Sequence, residues 1–119
     1  MKKFALLLAL VLFLLSCEKD YLIPKKDVPN WLKDRIQQDE ESLKFQPISA
    51  LNVSAWIRYA YDGNFYYEFV NLTSSMGPQI YMQDGTKFKP TYQNFSKYQS
   101  EKCCKLYIWK GPSYYEIND

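Results

Sequence analysis

The chain predicts an α+β domain: a helix near its start, then an antiparallel sheet of four or five strands on which that helix lies. Three observations lead there. Residues 27–43 form the one convincing amphipathic stretch, the residues after 50 read as short tyrosine-rich strands, and the turns between those strands carry Asp-Gly and Gly-Pro pairs. A helix followed by a run of strands lays the helix on one face of an antiparallel sheet, whereas alternating elements would build a parallel one. The 119 residues, once a leader is set aside, suffice for a single small domain with a modest core and leave no room for a second.

The helix is expected over 27–43. Asp27 can cap it, and Pro29 suits its first turn, where a missing N–H is harmless. Val28, Leu32, Ile36 and Leu43 fall on one narrow stripe, so one face docks. Trp31 lies one turn before Arg35, close enough for ring to meet guanidinium. Asp39-Glu40-Glu41 puts negative charge at the carboxyl end, which the helix dipole disfavours, so this run reads as a solvated end or a contact for a cation or basic partner.

After a connector containing Pro47, residues 56–70 (WIRYAYDGNFYYEFV) read as a hairpin. Side-chain parity favours a three-residue loop, Asp62-Gly63-Asn64, because a one-residue slip moves a strand's side chains to the other face. Ile57 then faces Phe69, Tyr59 faces Tyr67 and Tyr61 faces Phe65, while Arg58 meets Glu68 on the reverse. Residues 71–78 are a loop by composition. A second turn at Asp84-Gly85 pairs Tyr81 with Phe88 and Met82 with Lys87, and Pro90 closes that strand. Residues 91–102 show no decisive period and read as a long loop or an irregular edge strand. Residues 103–109 (CCKLYIW) alternate, with Cys104, Leu106 and Ile108 on one face and Cys103, Lys105, Tyr107 and Trp109 on the other. Gly111-Pro112 turns the chain, and 114–117 has room for a last short strand. The succession of one helix and a meander resembles the cystatin-like, helix-on-sheet order.

Composition narrows the function. Lys and Arg number 15 and Asp and Glu 13, but two of the fifteen are Lys2 and Lys3 in the leader, so the remaining chain is formally neutral. Nucleic acid, which needs a clustered basic face, is not an expected partner. Histidine is absent, which removes the commonest general base and imidazole ligand. Ser74 and Ser75 have no base, no glycine-rich phosphate cradle is present, and Glu68 and Glu116 make no recognisable acid pair. No catalysis, cofactor or metal is expected.

The leader is the most specific signal. Lys2 and Lys3 precede an apolar run from Phe4 to Leu15, then Ser16 and Cys17: the layout of a secretory signal, too short for a span of roughly 20 residues. Leu14-Leu15-Ser16-Cys17 resembles the lipobox of bacterial lipoproteins. The resemblance implies cleavage before Cys17, a diacylglycerol on its sulfur and an acylated amino terminus. Residues 1–16 are then a signal peptide, 17–26 a flexible tether, and 27–119 the domain. Glu18-Lys19-Asp20 is similar to the charged sorting signals of Bacteroidota lipoproteins displayed on the outer membrane, and Pro29-Asn30-Trp31-Leu32 resembles the helix start of small lipoproteins of that group. A lipid-anchored outer-membrane protein, periplasmic or surface-exposed, follows as the expectation.

Two further candidates emerge. Cys103 and Cys104 are adjacent, so on a regular strand their side chains diverge and a bond between them is not expected. A buried Cys104 with a half-exposed Cys103, or an intermolecular disulfide through Cys103, are the readings that alternation supports. Trp56, Arg58 and Tyr66, with Tyr107 and Trp109 on the last strand, form a candidate aromatic platform for a glycan or protein, left open if the helix covers the Ile57 face. Inhibition of an envelope enzyme through the 71–78 loop, or service as a structural subunit of an envelope assembly, are the alternatives.

Overall fold

The computed structural model describes residues 21–73 and 77–115. The leader, Cys17, residues 18–20, Ser74, Ser75 and the 116–119 end lie outside them, and so do the expectations attached to those residues. Two helices, α1 (Asn30–Phe45) and α2 (Tyr92–Glu101), accompany four strands: β1 (Ser54–Tyr61), β2 (Asn64–Asn71), β3 (Gln79–Tyr81) and β4 (Cys103–Lys110). The domain is α+β, with an open antiparallel sheet in the order β3-β2-β1-β4. The first three strands meander as expected. β4 instead crosses back through α2 to lie beside β1, making β1 a central strand.

The hairpin register differs from the expectation by one residue. Ile57 faces Glu68, Tyr59 faces Tyr66 and Tyr61 faces Asn64, closed by the two-residue turn Asp62-Gly63. Both turn residues have positive φ, 50° and 77°. Turns of that kind twist in the same sense as the strands they join, and Asp-Gly is among the pairs that form them. Parity misled because it assumed that Glu68 must point to solvent. Glu68 is buried, at 2% exposure.

This register gives the sheet two aromatic faces, each with its own helix. Trp56, Tyr67 and Phe69 share one face with Tyr81, and α1 closes it with Leu32 and Ile36, joined by Val28 just ahead of the helix. The stripe expected for the helix is therefore the one it buries. The helix starts later than expected, however: Pro29 occupies the cap position, and Asp27 belongs to a separate 3-10 turn, Lys25–Asp27, that caps nothing with its side chain. Trp31 sets its ring edge-on against Trp56 and Tyr67 and donates from Nε1 to the Gln83 carbonyl at 2.9 Å. A Cβ on Gly85, where φ is +92°, would reach 3.0 Å from the Trp31 ring, so the 82–86 turn can close over the indole only with glycine there. Arg35 stacks over Tyr81, with its guanidinium carbon 6.0 Å from the ring centroid.

Four other expectations are corrected. The tether is not flexible from Tyr21 onward: Tyr21 and Ile23 pack on the core, and Leu22 N–H donates to the Ile108 carbonyl at 2.8 Å. The second turn pairs Tyr81 with Lys87, not Phe88, in a single bridge. The segment after Pro90 is a helix, capped by the Thr91 hydroxyl, which accepts from Asn94 N–H. In β4, register shifts opposite β1 break the alternation, so Ile108 and Trp109 both enter the α1 core.

Candidate functional site at the α2–β4 junction

α2 turns the Tyr98 side chain inward and ends at Glu101; Lys102 follows as its cap, and β4 begins at Cys103. Tyr98 is fully buried and donates its hydroxyl to Glu68 Oε2 at 2.6 Å. Lys102 Nζ reaches the same oxygen at 2.8 Å. The ammonium also lies 4.0 Å from the Tyr59 ring centroid and 5.2 Å from that of Tyr98. Around them the rings of Tyr61, Tyr66 and Phe88 meet Tyr98 at centroid distances of 5.2 to 5.5 Å. A carboxylate here needs both a charge and a donor, because burial of an unpaired ion is prohibitive. The Tyr98 hydroxyl is held well above the ordinary tyrosine range, first by burial and then by the carboxylate it serves. So raised, it stays protonated near neutrality and acts as a fixed donor; the three groups lock α2 to the sheet.

On the outer side of the same junction, Cys103 and Cys104 are joined in a disulfide, and both residues are exposed. This corrects the expectation of diverging thiols. Divergence holds for a regular strand, but Cys104 has a φ of +66° and the pairing with β1 shifts register between Arg58 and Ala60, so β4 is not regular here. Two-electron reduction would give two adjacent thiols, the chemistry this pair can support. Both sulfurs are already committed, so Cys103 has no thiol for a second chain.

The five residues expected to form an aromatic platform do not come together. Trp56 and Trp109 are buried, at 0% and 3% exposure, beneath α1. Arg58 lies on their side of the sheet, stacked over Phe65 at 4.1 Å. Tyr66 is on the opposite face, in the cluster around Tyr98. Tyr107 sits between the ammonium groups of Lys105 and Lys110, 4.9 and 4.2 Å from its ring, with its hydroxyl 3.4 Å from that of Tyr114. The Trp56 face is thus covered, because α1 takes it and leaves the Ile57 face to α2.

The acidic run in α1 has a structural task that the sequence reading missed. Trp109 Nε1 donates to Glu40 Oε1 at 2.6 Å, and Trp56 Nε1 to Asp39 Oδ2 at 3.3 Å. Burial pushes the Asp39 carboxyl above the usual range, with the indole hydrogen bond opposing. The signal was available as two acids late in a helix and two tryptophans in strands, since an interior indole N–H needs an acceptor.

A groove of about 530 Å³ runs along β3, lined in part by Phe69, Ile80, Lys87, Phe88 and Phe95. Among the described residues no group of three His, Cys, Asp or Glu is placed to hold a metal ion. No protein-family model, no curated protein and no solved structure matches the chain.

Proposed function

We propose that this chain is a lipoprotein of the bacterial outer membrane, anchored through lipid on Cys17, whose domain is a non-catalytic module that binds a protein or glycan of the envelope. The observation that carries this reading is Leu14-Leu15-Ser16-Cys17 closing an apolar run headed by two lysines. Its support from the fold is compatible geometry. Tyr21 packs on the core, and three residues, Glu18, Lys19 and Asp20, lie between it and the cysteine in sequence. Three carboxylates of the domain hold it together: Glu68 through Tyr98 and Lys102, Glu40 and Asp39 through indoles. The ligand surface moves accordingly from the buried Trp56 and Trp109 to the groove beside β3.

The test is the mass of the mature amino-terminal peptide from native membranes. A diacylglyceryl thioether and an acylated amine on Cys17, together with release of a Cys17→Ala chain from the membrane fraction, are the expected results. A bare Cys17 thiol, or an uncut leader, would remove the anchor and the localisation with it.

A further inference from the structure

Two large apolar side chains stand almost wholly in solvent at one end of the domain: Phe45, the last residue of α1, at 88% exposure, and Ile48, just beyond Pro47, at 98%. Neither has a packing duty in the core. We propose that they form a membrane-insertion tip, entering the interfacial zone of the same leaflet that holds the lipid on Cys17. The proposal rests on the lipoprotein reading and adds to it a fixed orientation of the domain.

The argument is one of reach. Tyr21, the first described residue, lines a groove with Ile36, Glu40 and Lys44, so it lies along the carboxyl-terminal half of α1, and Phe45 follows Lys44 directly. Leu22, hydrogen-bonded to Ile108 and 57% exposed, adds apolar surface beside Tyr21. Four residue steps separate Cys17 from Tyr21, which fully extended span at most about 14 Å. A chain tied to lipid at Cys17 therefore cannot hold Tyr21 far above the headgroups, and the headgroup layer itself is about 5–8 Å deep on each side. Aromatic and aliphatic side chains flanked by lysine are the residues that settle at that boundary, with the ammonium rising to the phosphates. Lys25 and Lys44 line the groove; of its two acids, Glu40 is turned to the Trp109 indole, and Glu41 is exposed. The occupant is thus a bilayer surface and not a second copy of the chain, because the anchor delivers this end to lipid whether or not another copy is near.

The test uses the mature chain with Cys17→Ser, so that any membrane affinity comes from the domain alone. Its sedimentation with vesicles of phosphatidylethanolamine and phosphatidylglycerol is compared with that of the same chain carrying Phe45→Ser and Ile48→Ser. Removing two exposed apolar side chains is expected to weaken partition by roughly 100-fold, with near-ultraviolet circular dichroism of the buried tryptophans unchanged. Equal partition of the two chains, including none by either, overturns the proposal, as does a dimer in the absence of vesicles that the two substitutions abolish. The mass of Cys17 in native membranes reports separately on the anchor, so failure of the tip and failure of the lipoprotein reading give different results.

Discussion

At the scale of single residues, Glu68 is the position on which the domain turns. Its carboxylate is buried between Ile57 and Ile80 on a face rich in rings, and it is tolerable only because Tyr98 and Lys102 both reach Oε2. Removing one partner of such a set leaves a charge with nothing to balance it, whereas removing the charges together leaves an apolar site. Lys102→Met is therefore expected to lower stability by about 3–5 kcal/mol in urea unfolding. Adding Glu68→Leu to that variant is expected to restore much of the loss. A double variant less stable than Lys102→Met alone would show that the carboxylate does not depend on the ammonium. The residue was visible in the sequence, but its burial was not: strand alternation assigns Glu68 to solvent unless a helix from further along the chain is known to cover it.

At the scale of elements, the β1–β2 turn sets the faces of the sheet. Asp62-Gly63 closes in two residues, and that choice places Ile57 with Glu68 and Trp56 with Phe69. Gly63 has a φ of 77°, and a Cβ there would meet nothing within 4 Å. Gly63→Ala thus isolates the backbone preference, and thermal or urea unfolding is expected to show a loss of about 1 kcal/mol. An unchanged stability would mean that the turn relaxes without penalty. α2 was the element least legible in advance. It has a cap, Thr91, and one buried residue, Tyr98, but its sequence is short and mostly aromatic or polar with no decisive period, so it reads as a long loop or an irregular edge strand. α1 was legible because Leu32 and Ile36 repeat at helical spacing on an apolar stripe, and both are buried.

At the scale of the molecule, the sheet is open and β1 is one of its two interior strands, paired to β2 on one side and β4 on the other. Each face is closed by a different helix, and the disulfide sits where α2 hands the chain to β4. With both sulfurs joined, the mature protein is expected to take up no alkylating reagent at Cys103 or Cys104 until a reductant is added, and then to take up two equivalents there. It should also run as a monomer on non-reducing gels. Labelling of either cysteine before reduction would contradict the pairing. The platform of Trp56 and Trp109 failed for a reason that belongs to this scale. Which face a helix covers depends on the crossing of α1 over the sheet, and no local pattern in the strands records it.

The sequence by itself determined the helical stripe of α1, the strand character of the tyrosine-rich segments and that they are joined in a hairpin, since each follows from the local fit of side chains to a backbone period, but not the length of the turn, which the burial of Glu68 decides. The tertiary structure alone decided which face α1 takes, that Glu68 is interior, that Asp39 and Glu40 serve indoles far along the chain, and that two neighbouring cysteines bond. Those outcomes depend on contacts between residues distant in sequence, where the cost of burying a charge or an N–H is met by a partner that no local window contains.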